Sequence, residues 1–164
     1  MAEGSGIDVI KRTTVMVRDA EKAARWYESV LGMTRWMDTP FTLSGNQLAS
    51  GKKGDQTRLV IMQAEHDEIG MIGLLQWVDP LRNDIPEELP TEIPFGTPIF
   101  VVVSEDTEAT VERARAAGSR VHAEPEEWTV TGADGRQKDM MGASFWDLDG
   151  NFFEVNQVLR IHEA

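Results

Sequence analysis

The chain contains no cysteine, which excludes disulfides, thiolate metal sites and cysteine nucleophiles and makes a reducing cytoplasm the simplest setting. Long apolar runs are also missing. No stretch approaches the roughly 18 residues that span a bilayer, and Met1–Ile10 lacks a basic segment followed by an apolar one. A cytoplasmic, untargeted protein with no membrane partner is therefore expected. Positive charge is scarce: 16 Lys and Arg against 28 Asp and Glu give a formal net charge of −12. That balance repels phosphate backbones, so no nucleic-acid partner is expected. Histidine is limited to His66, His122 and His162, and no two have the i, i+4 spacing that grips zinc on a helix. His162, near the end of the chain, reads as solvated, His66 as a loop residue and His122 as a structural strand residue. No serine stands in a Gly-x-Ser-x-Gly frame, and Lys52-Lys53-Gly54 lacks the glycine spacing of a phosphate loop, so neither motif supports a hydrolase elbow or a nucleotide loop.

What is present is an internal repeat. Thr14-Val15-Met16-Val17-Arg18-Asp19 leads into Ala20 to Leu31 and then Gly32; Phe100 to Asp106 leads into Thr107 to Ala117 and then Gly118. Each half reads as a β-rich strand, an acidic N-cap, a helix of about three turns and a glycine that ends it. In the first helix Ala23, Trp26, Tyr27, Val30 and Leu31 form one apolar stripe, and in the second Val111, Ala114 and Ala117 form a narrower one. Three strand candidates follow each helix. They are 34–41, 57–64 and 71–78 in the first half; in the second they are 120–123 with a continuation to 130, then 140–146 and 151–158. Asp147-Leu148-Asp149-Gly150-Asn151 supplies the hairpin turn between the last two. The pattern predicts an α+β fold of two βαβββ modules, about 10–79 and 98–158, within one domain of ordinary size. The connecting stretch, 80–97, is studded with prolines at 80, 86, 90 and 94, with another at 98. Proline at that density blocks helix and central strand. The apolar residues Leu81, Ile85, Leu89, Ile93 and Phe95 predict that the linker lies against the surface.

The paired modules, the run Asp19 to Gly32 with Trp26-Tyr27, and the closing string Phe145-Trp146-Asp147-Leu148-Asp149-Gly150-Asn151-Phe152-Phe153-Glu154 resemble the vicinal oxygen chelate superfamily of glyoxalases, bleomycin-resistance proteins and extradiol dioxygenases. The resemblance implies that the modules curl into a half-open barrel around a cavity, where first and last strands of each module present ligands to a divalent metal. Carried onto this chain, the last-strand position of module two falls on Glu154, with Gln76 taken as its mate in module one. The first-strand position of module one falls on Arg12, and that of module two within Thr97 to Ile99.

A guanidinium offers only donor hydrogens and a fixed positive charge, so Arg12 would repel an ion. A resident cofactor is therefore not expected; if zinc, iron, nickel or manganese is bound, Glu154 and Gln76 are its candidate ligands. Strand alternation puts Arg12, Thr14 and Met16 on one face and Phe152, Glu154 and Asn156 on another. Trp36, Trp77, Trp128 and Trp146, with Met140 and Met141, are candidate walls for an apolar cavity. The expected function is binding of a small apolar or aromatic molecule. Glu154 and Arg12 are candidate base and oxyanion donor for a proton shift, and Gln76, Thr14, Trp36, Met140, Phe152 and Asn156 are candidate ligand contacts. A metal-dependent lyase, isomerase or ring-cleaving dioxygenase and a non-catalytic drug-binding resistance protein are the alternatives. A homodimer is compatible with the family resemblance.

Overall fold

The computed structural model describes residues 9–82 and 84–162. Its elements run β1 (Arg12–Met16), α1 (Ala20–Leu31), β2 (Thr34–Thr42), β3 (Gln56–Gln63), β4 (Met71–Asp79), β5 (Ile99–Val103), α2 (Thr107–Ala116), β6 (Arg120–Thr131), β7 (Gln137–Trp146) and β8 (Phe152–Ile161). The chain divides into two compact units, 1–86 and 87–164. Each is βαβββ with one open four-stranded sheet, ordered β1-β4-β3-β2 in the first and β5-β8-β7-β6 in the second. In both, the strand before the helix pairs parallel with the last strand, and the remaining pairs are antiparallel.

The helix starts follow from the acidic caps. Asp19 accepts from the amides of Glu21 and Lys22, and Asp106 from that of Ala109, which satisfies donors that the first turn leaves orphaned. A second device recurs at the same place. Gln76 Oε1 accepts from Ala20 N at 2.9 Å, and Gln157 Oε1 accepts from Thr107 N at 3.1 Å. A side chain on the last strand of each unit thus holds the helix start against the sheet. At the other end Gly32 adopts φ 66°, and its amide and the following one return to Glu28 and Tyr27 carbonyls.

The core of each unit lies between helix and sheet. Ala23, Ala24, Trp26, Tyr27 and Val30 of α1 are buried, and Val60, Met62, Ile72 and Leu74 are buried strand residues of the same unit. Leu31, predicted in the stripe, is only half-buried. Full burial of Tyr27 and Val30 is worth roughly 1.5–3 kcal/mol each. Around the rim, Glu21 bonds Arg25, Arg35 and Arg58, while Glu28 bonds Arg35 and Asp38 bonds Arg58. This network joins α1 to β2 and β3. In the second unit Val111 and Ala114 are buried in α2, and Phe153 stacks with Phe100 and Phe145.

Two expectations change. Leu81, Ile85 and Phe95 are exposed, and only Leu89 and Ile93 of the predicted linker contacts are half-buried. The proline-rich stretch therefore leaves three of its five apolar residues in solvent. His162 is not simply solvated: its ring bonds Asp139 at 2.8 Å, which holds the Asp139 carboxyl below its ordinary range, and its amide bonds Gln137. The last residues of β8 are thereby tied to β7. No helix among the described residues is long and apolar enough to cross a membrane.

Candidate functional site

Each sheet has one face against its helix and one open face, and the site candidates sort by that division. In the second unit the open face carries Ser144 opposite Glu154, Gly142 opposite Asn156, Met140 opposite Val158 and Trp146 opposite Phe152. Beside them runs β6, whose pairing with β7 slips between Val121 and Ala123 and again between Ala123 and Glu126. Such slips bend a strand and re-aim its side chains. The result is a groove of about 520 Å³ lined by Ala123, Glu124, Glu126, Glu127, Trp128, Gly142, Ala143, Ser144, Glu154 and Asn156.

Gly142 is what lets the groove have an aromatic wall. A Cβ there would meet Trp128 Nε1 at 2.8 Å and Asn156 Oδ1 at 3.3 Å, so the indole lies across the glycine. Trp128 remains 46% exposed, leaving ring surface for a guest. Glu124 is tied to Arg115. Glu126, Glu127 and Glu154 have no ion pair with any described residue. Deeper in the face, Trp146 is buried between Phe152 and the guanidinium of Arg120, which sits 5.1 Å from the indole ring centre.

In the first unit the open face carries Arg12, Thr14 and Met16, all exposed. Thr14 pairs with Gly73. A Cβ on Gly73 would meet Thr14 Oγ1 at 2.7 Å and Arg12 Cδ at 3.2 Å. Both β1 side chains thus lean over the bare glycine, and Arg12 has no ion pair among the described residues.

These registers correct the predicted repeat. Gly73 faces Thr14 in the first unit as Glu154 faces Val101 in the second, so the mate of Glu154 is Gly73. Gln76 matches Gln157, as their shared bond to the helix start requires. The same comparison resolves the first-strand position of the second unit. Arg12 lies seven residues before Asp19 (19 − 12) and pairs with Met71; Ile99 lies seven before Asp106 (106 − 99) and pairs with Phe152. Gln76 therefore sits with the helix rather than on the open face, contrary to its selection as a ligand contact. The four equivalent positions are Arg12, Gly73, Ile99 and Glu154, of which one is a metal donor. Among the described residues no group of three or more His, Asp or Glu could hold a metal ion.

Of the remaining sequence candidates, Glu154 and Asn156 line the groove. Phe152 shares their face but is spent on packing, edge-on to Trp146 and His122. Met140 is half-buried beside Trp128, its partner in the β6–β7 ladder. Trp36 is exposed in the first unit, where Lys11 approaches its ring. Trp77 is buried with Leu43 and Leu75 and donates to Asp55. His66 Nδ1 accepts from the Glu68 amide and shapes a loop. Sequence reasoning missed Glu124, Glu126, Glu127, Gly142 and Ser144. Their available signal was the clustering of carboxylates beside Trp128.

Two repeated βαβββ units, with a parallel pair closing each and a helix start clamped by the last strand, define the vicinal oxygen chelate class. Residues 9–155 match the family model described as Glyoxalase/Bleomycin resistance protein/Dioxygenase superfamily, and the chain belongs to that superfamily. Among solved structures it is similar to a glyoxalase family protein from Bacillus cereus, with 14% identity, TM-score 0.77 and coverage of 98% of this chain and 99% of that one. It is also similar to TnmS3, an antibiotic binding protein from Streptomyces sp. CB03234, at 20% identity, TM-score 0.55 and coverage of 94% and 99%. A third likeness is to TioX from Micromonospora sp. ML1, at 16% identity, TM-score 0.52 and coverage of 94% and 100%. At such identities the likeness concerns the fold. A search of curated proteins found no match.

Proposed function

We propose that the protein binds a small, flat, largely apolar molecule in the groove on the open face of its second sheet, without a tightly held metal ion. The observation that carries this reading is the groove itself. Its volume of about 520 Å³ falls within the range of small-molecule sites, and a half-exposed indole forms one wall over a glycine that leaves it room. The likeness to an antibiotic binding protein supports binding as the role. A family-type metal site does not fit this chain, because three of its four positions hold a guanidinium, a glycine and an isoleucine. Zinc, iron, nickel and manganese need three or four N or O donors.

A second reading keeps the same groove and adds a proton shift. Glu154 has no cationic partner among the described residues, which leaves its carboxylate available as a base. Sequestration needs fewer assumptions and is the conclusion here.

Titration with flat aromatic alcohols, followed by tryptophan fluorescence and calorimetry, tests the binding reading. Saturable one-to-one binding is expected, weakened at least about tenfold in Trp128→Ala, in keeping with the loss of a central aromatic anchor. Absence of saturable binding by every probe, or unchanged affinity in the variant, overturns it. Turnover of a bound probe that disappears in Glu154→Gln would establish the second reading.

A further inference from the structure

We infer that residues 88–93 form a strap that opens and closes over one end of the second sheet's open face, with Arg120 as its latch. Alternate residues of β7 share that face, so Trp146 follows Gly142 and Ser144 along it. Trp128, on the same face, keeps 46% of its surface in solvent, while Trp146 keeps 1%. Phe152 meets the edge of the Trp146 ring, and the Arg120 guanidinium lies over it. That guanidinium donates in turn to the Pro90 carbonyl. Indole, cation and strap are thus stacked in three layers. Beside them the strap is seated on bare backbone: a Cβ at Gly150 would meet Pro90 Cδ at 2.8 Å and Leu89 Cδ2 at 3.5 Å.

Two observations make this cover a movable one. The first is its thin anchoring. Residues 87–98 pair with no strand, the prolines at 90, 94 and 98 have no N–H to offer, and the bond from Thr97 N to the Pro94 carbonyl is internal to the stretch. Among the described residues, the Arg120 bond is the one hydrogen bond that ties the stretch to the rest of its unit. A segment with so little pairing opens at far lower cost than a sheet does. The second observation lies beneath the strap: Trp146 Nε1 is buried without a hydrogen-bond partner. A donor left unpaired in the closed state is costly. Opening lets water reach it, which offsets the loss of the stack and of the Pro90 bond, so the strap is held without being locked. On the binding reading above, opening also lengthens the groove beyond Ser144 by one side-chain row and uncovers an indole N–H donor there.

Because the chain has no cysteine, one introduced thiol can report the strap. Leu89→Cys should react with iodoacetamide at least about tenfold more slowly than Phe95→Cys, at a fully exposed position, and adding Arg120→Met should bring the two rates within about twofold. Hydrogen exchange at the Trp146 indole N–H, assigned through Trp146→Phe, reads the same opening from beneath. Arg120→Met should speed it at least about fivefold while the backbone amides of β7 keep their rates. Equal thiol rates with Arg120 in place, or an indole rate indifferent to Arg120→Met, overturn the strap. So does a rise in β7 amide exchange in step with the indole, because the sheet and not the strap would then have loosened. These readouts need no ligand. For the groove, the longer probe 6-phenyl-2-naphthol should gain affinity in Arg120→Met by about the factor seen in exchange, while 2-naphthol stays within about twofold. If both gain equally, or neither changes, the strap does not gate the groove and the inference is wrong. If neither probe binds, the binding reading falls, and the thiol and exchange rates alone decide the strap.

Discussion

Two glycines decide what the open faces can hold, and they do so by what lies across them. Over Gly73 lean Arg12 and Thr14; over Gly142 lies the indole of Trp128. The first arrangement puts a cation and a bare backbone at two positions where the family pattern calls for donors. The second builds an aromatic wall. Gly142→Ala should therefore act on binding more than on stability. The added methyl would meet Trp128 Nε1 at 2.8 Å, but a side chain 46% exposed can swing outward, so the stability cost should stay below about 1 kcal/mol. With the ring displaced, affinity for a flat aromatic probe should fall about five- to tenfold, a shift of roughly 1–1.4 kcal/mol. Chemical denaturation and probe titration on the same preparation separate the two effects; a large stability loss with affinity intact would show that the ring is not the wall.

At the scale of elements, the clamp from last strand to helix start gives Gln76 a structural role. Gln76→Ala removes the acceptor for the Ala20 amide and should cost about 1 kcal/mol, while probe affinity stays within about twofold of wild type. Denaturation and titration together check this, and a tenfold loss of affinity would return Gln76 to the ligand site. The ion network of α1 gives a pH dependence. Bonds from Arg35, Arg58 and Arg25 hold the Glu21 carboxyl well below its ordinary value. A depressed carboxylate contributes stability above the unfolded value, and that contribution is lost as pH falls through the folded one. Wild type should therefore lose stability progressively below about pH 4.5, the ordinary value for Glu21, and Glu21→Gln should flatten that limb, as unfolding curves from pH 6 to 3 will reveal. High salt should shrink the difference, since the pairs are half-exposed.

The elements themselves were legible in the sequence because period, cap and glycine agree at each one; α1 was read at Ala20 to Leu31, and it occupies those residues. The site was less legible because register belongs to two strands at once. The two halves differ by 87 residues at the helix caps (106 − 19) but by 81 at the last strands (157 − 76), and the alternation of a single strand does not reveal that loss. Matching Gln76 to Glu154 was off by three residues. An odd error reverses the face of a strand, which is why a helix clamp looked like a ligand. The groove is hidden for a related reason: the slips in β6 ahead of Glu126 set which of its residues share a face with Gly142 and Ser144, and they leave no mark in composition.

For the molecule as a whole, folding linkage offers the most general check on the metal question, because any ion bound to the native state raises stability wherever its ligands lie. A site with a dissociation constant near 1 µM would add about 4 kcal/mol at 1 mM free ion, which for a chain of this length corresponds to roughly 8–16 °C in melting temperature. The donor set at Arg12, Gly73, Ile99 and Glu154 predicts no such gain. A net charge of −12 will still collect divalent cations loosely and relieve self-repulsion, so the comparison must be with an ion that relieves charge without favouring nitrogen donors. Zinc, nickel, manganese and iron(II) should each stay within about 2 °C of magnesium at equal concentration, a spread of under about 1 kcal/mol for a chain of this size. An excess of about 8 °C or more for any of them, abolished in Glu154→Gln, would mean that the chain completes a metal site around Glu154 with ligands outside the other three family positions, and the metal-free reading of its binding groove would have to be abandoned.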